Sequence, residues 1–218
     1  MVNNMKITAL NGSPRKNCNT ATLLKKALEG AESKGADTEL INLYDLNYKG
    51  CNSCFLCKLK GGKSYGVCAV NDDLKDVIKK IEESDALIFG SPIYLGSVTG
   101  EMRSFMERLI YPYLTYNNPS KSLFPKNIIT GFIYTMNITE EQLEGSGYEL
   151  LFATNEYYLK TIFGSAQSLF SFDTYQFKDY SKIVNERFDP VKKAQRRSEV
   201  FPVDMQNAFN LGVSFANK

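Results

Sequence analysis

The sequence predicts a doubly wound α/β fold, with five parallel strands in one sheet and helices on both faces, giving three layers α/β/α. Three observations carry this prediction. Strand-like and helix-like segments alternate along most of the 218 residues. The first of them make a β-α-β unit, which implies parallel strands and a right-handed crossover. The third strand-like segment, Asp85–Gly90, is almost wholly apolar, as a central strand covered on both faces must be.

Taken in order, Met5–Leu10 reads as a short buried strand. Thr22–Ser33 follows as a helix with Leu23, Leu24, Ala27, Leu28 and Ala31 at helical spacing and Asn19 or Thr20 as its cap. Thr38–Leu43 alternates polar and apolar and gives the second strand. Tyr44–Val70 is a long irregular segment. A helix then starts at Asn71-Asp72-Asp73 with Asp72 as cap, and Leu74, Val77, Ile78 and Ile81 form its apolar stripe. After strand Asp85–Gly90 comes a loop over Ser91–Gly100 and a helix over Thr99–Ile110. Asn127–Met136 is the fourth strand, Glu140–Phe163 is mostly helical, and Gln167–Phe172 is the fifth strand. The tail holds an aromatic stretch over 172–180, a charged helix begun at Asp189-Pro190, and a closing helix over Val203–Ala216. With no repeat or linker, the expectation is one domain over 1–218 with a helical extension from about residue 173.

Composition excludes several classes. Net charge is +2, so no nucleic-acid footprint is expected. No apolar run is long enough to span a membrane. Residues 1–6 lack the charged-then-apolar pattern of a secretory leader, so the cytoplasm is the expected compartment. Histidine is absent, which removes the commonest general base and every Ser-His or Cys-His pair. Tryptophan is absent too, so a planar ligand would rest on some of the 13 Tyr, the 14 Phe or aliphatic groups.

The chemistry concentrates in three loops at the carboxyl ends of strands, where ligands of such sheets sit. In Leu10-Asn11-Gly12-Ser13-Pro14-Arg15-Lys16-Asn17-Cys18-Asn19-Thr20, Gly12 permits close backbone approach. Ser13, Asn19 and Thr20 offer polar contacts, Arg15 and Lys16 offer charge, and the helix start offers free N–H groups. That combination suits a phosphate. The loop after the third strand, with Pro92, Tyr94 and Gly96, could lie along a planar ring, and Thr135–Asn137 could touch its other edge. The P-loop pattern G-x-x-x-x-G-K-[ST] and the dinucleotide pattern G-x-G-x-x-G are both missing.

With Gly90-Ser91-Pro92-Ile93-Tyr94 following the first loop, the chain resembles the NADPH-dependent FMN reductase and iron–sulfur flavoprotein branch of the flavodoxin-like family over about residues 5–172. The resemblance implies strand order 2-1-3-4-5 and FMN as cofactor. It places the FMN phosphate on Ser13, Arg15, Asn19, Thr20 and Ala21, and the ring against Pro92, Ile93, Tyr94, Leu95 and Gly96, with Thr135 and Asn137 beyond. It implies an oxidoreductase, with NAD(P)H as a transient electron donor, a small-molecule or redox-protein acceptor, and assembly as a homodimer or homotetramer. The flavin performs the electron chemistry in such proteins, which accords with the lack of histidine. Free flavin, quinones, nitro- or azo-compounds and a protein partner all stay open as acceptors, as does the choice of NADH or NADPH.

Four of the five cysteines cluster as Cys51-x2-Cys54-x2-Cys57-x10-Cys68. Close thiolates suit a [4Fe-4S] cluster with Cys68 as fourth ligand, which would make the protein an iron–sulfur electron carrier. The last gap is longer than in the compact motif of the iron–sulfur flavoproteins. A metal-free thiol loop, a four-cysteine zinc site and a disulfide formed in air remain open beside the cluster, and a cysteine-based redox sensor is a third functional class. Cys18 reads as incidental. The stretch 172–180 reads as a clamp that holds the C-terminal helices to the core, with a cover over the flavin site or a dimer contact as the other readings, and 100–108 reads as an interface helix or a core helix.

Overall fold

A computed structural model describes residues 4–217, so the leader reading over 1–6 and the domain limits fall partly outside the described residues. The strands are β1 (Lys6–Asn11), β2 (Asp37–Asn42), β3 (Ala86–Tyr94), β4 (Ser97–Val98), β5 (Ile129–Thr135) and β6 (Gln167–Ser171). The helices are α1 (Asn19–Glu32), α2 (Leu74–Glu83), α3 (Gly100–Tyr113), α4 (Tyr148–Phe163), α5 (Pro190–Glu199) and α6 (Phe201–Ala216). The main sheet runs β2-β1-β3-β5-β6, all parallel, which is the expected 2-1-3-4-5 order once the small hairpin strand β4 is set aside.

Successive residues of a strand face opposite sides, and the two faces carry different chemistry. On one side Ala9, Ala86, Ile88 and Ile133 pack under α1 and α6. On the other Leu10, Phe89, Phe132 and Tyr134 pack under α2, α3 and α4. The second face is an aromatic row across three strands. Phe132 stacks on Tyr134 with centroids 4.1 Å apart, Phe89 lies 5.6 Å from Phe132, and Phe170 lies 5.7 Å from Tyr134. Burial raises the Tyr134 hydroxyl well above the ordinary phenol range, although Asn155 Nδ2 donates to it at 3.1 Å.

The small-residue face allows α1 and α6 to meet at backbone distance. A Cβ on Gly212 would stand 1.7 Å from Ala27 O, and one on Gly30 would stand 2.0 Å from Phe209 O. Phe201 and Phe215 are fully buried at the two ends of α6, while Phe209, Leu211 and Val213 are half-buried.

Four sequence expectations change. The first helix starts at Asn19 rather than Thr22, with Cys18 at the cap position and no side-chain cap bond, because the heads of Asn19 and Thr20 are engaged elsewhere. The loop over Ser91–Gly100 is a hairpin instead. β3 continues to Tyr94, turns at Leu95 and Gly96, both with positive φ, and returns as β4. The helical segment over 140–163 is helical only from Tyr148, after Gly147 at φ +81°. Asp73 rather than Asp72 holds the cap position of α2, although Asp72 Oδ1 still accepts from Leu74 N–H at 3.2 Å.

The irregular segment 44–70 is fastened to α3 through buried Arg108, which bonds Lys49 and Cys68 within the segment and pairs with Asp72 just after it. The Arg108 side chain is 2% exposed, and its Nη1 donates to Asp72 Oδ2 at 2.8 Å and to Lys49 O at 3.0 Å. Burial alone would lower the guanidinium pKa; hydrogen bonds to Asp72 and Cys68 outweigh it and raise it.

Two stability predictions follow from these contacts. Gly212→Ala should lower the free energy of unfolding by about 3 kcal/mol, because backbone must move to admit the methyl group. Gly100→Ala, where nothing lies within 4 Å, should change it by less than about 1 kcal/mol. Urea unfolding of both variants decides, and equal effects would contradict the packing account. Asp72→Asn leaves Arg108 buried beside a neutral partner and should cost about 3 kcal/mol. It should also speed limited proteolysis within 44–70, and an unchanged cleavage rate there would show that the pair does not hold the segment.

Candidate functional site at the carboxyl edge of the sheet

The first loop is stitched to its neighbours by buried hydrogen bonds. Gly12 N–H donates to Gly90 O at 2.8 Å, and Thr99 Oγ1 donates to Gly12 O at 2.7 Å. Thr99 N–H donates to Ser91 Oγ at 3.0 Å, and Thr99 Oγ1 accepts from Met102 N–H, capping α3. A Cβ on Gly12 would meet Met102 Cβ at 2.8 Å. The glycine makes room for α3. Asn11, fully buried, accepts from Ser13 N–H at 3.0 Å and donates to Asn42 at 2.9 Å, which fixes the start of the loop.

Beyond this turn Ser13, Asn19, Thr20 and Ala21 are buried at the N-terminus of α1. Thr20 and Thr135 share a hydroxyl hydrogen bond at 2.8 Å, so the first and third predicted loops are in direct contact. The first turn of α1 has neither a side-chain cap nor an acidic residue. An uncapped helix N-terminus beside buried hydroxyls and Arg15 is a donor set suited to a phosphate monoester. The second predicted group lies on the hairpin. Pro92, Ile93 and Gly96 are half-buried, Tyr94 is 45% exposed, and Leu95 at the tip is fully exposed. Tyr44, from the irregular segment, approaches Tyr94, Thr99 and Glu101. Burial raises its phenol pKa, Glu101 and Tyr94 add to that, and a hydrogen bond with Thr99 opposes it.

The C-terminal extension reaches the same edge: the aromatic stretch lies against the first loop, one of its readings from the sequence, whereas the part played by the helix after it was not read there. Arg15 Nη1 donates to Gln176 O at 2.7 Å, and Asn19 Nδ2 donates to Tyr175 O at 2.9 Å. Buried Lys193 donates to Asn137 Oδ1 at 2.6 Å and pairs with Asp173. The aromatic stretch also packs on itself, with Tyr175 and Phe177 5.0 and 5.3 Å from Tyr180. It clamps the extension onto the phosphate-type loop. The aromatic composition of 172–180 was a signal for the first two contacts, while the charged run at 192–197 reads equally as a solvated helix.

Cys51, Cys54, Cys57 and Cys68 line one small cavity together with Phe55, Arg108 and Tyr111. All five cysteines are free thiols. The long last gap is folded away. Gly66 N–H donates to Cys57 O at 3.0 Å, so residues 58–67 form a closed excursion that returns Cys68 to the cavity. Arg108 Nε donates to Cys68 Sγ at 2.9 Å. Burial pushes the Cys57 thiol pKa up, Lys58 opposes this, and Cys68 and Cys51 reinforce it. Among the described residues no three His, Cys, Asp or Glu side chains are set around a single metal ion. A cubane takes one thiolate at each of four iron corners, so its ligands stand farther apart than those of one ion. Four thiols and a guanidinium are a donor set of the right chemistry for that group, but the cavity they line has a free volume of about 10 Å³, room for one water and not for a cubane without rearrangement.

The comparisons with known proteins agree with this geometry. The family described as NADPH-dependent FMN reductase matches residues 5–130. An iron–sulfur flavoprotein of Methanocaldococcus jannaschii is 36% identical over 104 residues, 48% of this chain and 51% of that protein. One from Archaeoglobus fulgidus is 39% identical over 104 residues, 48% of each chain. The chain spans about half the length of the curated relatives it matches. Among solved structures, an NAD(P)H:quinone oxidoreductase from Methanothermobacter marburgensis aligns with TM-score 0.72 at 15% identity, covering 97% of this chain and 98% of that one. A flavodoxin from the domain Archaea aligns with TM-score 0.50 at 16% identity, covering 98% and 97%. These last two show a flavodoxin-like fold. With the family match spanning more than half of its residues, the chain belongs to the NADPH-dependent FMN reductase family.

Proposed function

We propose that the protein is an FMN-dependent oxidoreductase that takes electrons from NAD(P)H and delivers them to a small planar acceptor of the quinone type. The observation that carries this reading is the uncapped, acid-free start of α1, held by the Thr20–Thr135 bond beside the exposed Tyr94–Leu95 hairpin. FMN, when bound, supplies the electron chemistry. Ser13, Asn19, Thr20, the Ala21 backbone and Arg15 would hold its phosphate. Pro92, Ile93, Tyr94, Leu95 and Gly96 would flank the ring, with Thr135 and Asn137 on its far side. The chain itself binds, orients and excludes water from one face; no acid or base is needed from it. It acts as one domain with a helical extension from about residue 173, in the cytoplasm, where five free thiols are at home. A second copy would cover the cavity that Met106, Ile110, Tyr111 and Tyr158 line between the cysteine loop, α3 and α4, which supports a homodimer or homotetramer.

Anaerobic titration of the FMN-loaded protein with NADPH, and separately with NADH, tests the reading. At least one should bleach the flavin absorbance fully, and a quinone should restore it. A flavin spectrum that neither donor changes would remove the reductase reading.

A specific observation favours a second reading, an iron–sulfur electron carrier: all four clustered cysteines reach one cavity despite the long gap. Two of the similar proteins also bear the name iron–sulfur flavoprotein. Protein purified without oxygen should then contain about four irons and four sulfides per chain, and Cys57→Ser should lose most of both. Iron at trace level in the unaltered protein would end this reading.

A further inference from the structure

The geometry points to Arg197, on α5 of the C-terminal extension, as a second guanidinium of the flavin-phosphate site, beside Arg15. This rests on the FMN reading above. It lies outside residues 5–130, which carry the family match, so no family motif contains it.

Arg197 Nη1 donates to Asn19 Oδ1 at 2.9 Å, and Asn19 is the first residue of α1. The guanidinium lies over the Phe201 ring, with Cζ 4.0 Å from its centroid, and Phe201 is only 1% exposed. One hydrogen bond and one stacked face fix the plane of the group while leaving most of its five N–H donors free. Arg15 belongs to the loop that leads into the same turn, and its side chain has one partner, the neutral carbonyl of Gln176. Of the neighbouring cations, Lys16, Lys193 and Arg196 are neutralised by Asp45, Asp173 and Asp204, while Lys25 donates to Asn17 Oδ1 at 3.1 Å and to the Lys16 carbonyl. Among the described residues, neither Arg15 nor Arg197 has a carboxylate within salt-bridge distance, and the first turn of α1 adds none. Arg197 bonds Asn19, and Arg15 bonds Gln176, the neighbour of the Tyr175 that Asn19 bonds, so two guanidiniums without a carboxylate stand near the positive end of α1.

Charge balance identifies the ligand group. A phosphate monoester carries about −1.5 to −2 at pH 7. Arg15 with the helix end offers roughly +1.5, so a full dianion calls for further positive charge, and Arg197 is the guanidinium that bonds the first residue of α1. Lys193 cannot serve, because it is buried against Asp173 and Asn137. Arg197 is exposed, charged and already oriented. The extension beyond β6 thus contributes directly to holding the cofactor, through Arg197 and through the Tyr175 and Gln176 carbonyls that position Asn19 and Arg15.

Flavin-free protein titrated with FMN and with riboflavin, which lacks the phosphate, tests the assignment by fluorescence quenching. Arg197→Gln should weaken FMN binding about tenfold, the worth of one charge-assisted hydrogen bond, and leave riboflavin binding unchanged. Arg197→Lys should recover part of the loss. Lys192→Gln, which removes the same charge from α5, should leave both affinities unchanged. An unchanged FMN affinity in Arg197→Gln would overturn the assignment. So would an equal loss for both flavins, which would mean that the residue acts only through the fold. If the unaltered protein bound neither flavin, the FMN reading itself would fall, an outcome separable from the other two.

Discussion

The contact between α1 and α6 leaves no room for a methyl group, and the carboxyl edge of the sheet is arranged around that fact. Gly30 and Gly212 let the two helices meet backbone to backbone, with Ala27 O where a side chain would be. Because the contact is rigid, the N-terminus of α1 has a fixed position relative to everything that follows β6. Cores of this density transmit position with little loss. The α5 helix, joined directly to α6, consequently presents Lys193 and Arg197 to the loops after β5 and β1. A helix pair that looks like scaffolding sets the geometry of the binding edge.

Much of this was legible in the sequence. The alternation of elements, the strand order and the three loops stood out because apolar periodicity and loop composition are local properties. The misreadings share a physical origin in non-local bonding. Asn19 and Thr20 have the composition of helix caps, but their heads bond Tyr175 O, Arg197 and Thr135, residues more than one hundred positions away. Gly12 makes room for Met102 of α3, also distant in sequence. Ser91–Gly100 looked like a loop because Pro92, Gly96 and Gly100 punctuate it. The parallel register of Pro92 with Thr135 instead keeps it in the sheet, and the positive φ of Leu95 and Gly96 closes a hairpin. The aromatic stretch of the extension was legible as a clamp or a cover, but the role of α5 was not, since a charged helix has the same sequence whether it meets solvent or an anion.

The two faces of the sheet divide the labour. The face under α1 and α6 is built from small residues and governs close approach. The face under α3 and α4 carries the stacked row Phe89, Phe132, Tyr134 and Phe170, which fills volume and stiffens the strands whose ends form the hairpin and the third loop. The cysteine segment hangs from this second face through Arg108 and its partners Lys49, Cys68 and Asp72. One side chain, Arg108, therefore anchors the segment and also donates to the Cys68 sulfur.

The excursion over 58–67, closed by the bond from Gly66 N–H to Cys57 O, separates two quantities that motif reading treats as one. Residue count along the chain measures contour length, whereas the placement of a thiol depends on end-to-end distance. A loop pinned at its base can lengthen or shorten at its tip with little change in either the position of Cys68 or the free energy of closure. Patterns with a fixed final gap would pass over this chain, while a pattern anchored on the returning turn would find it.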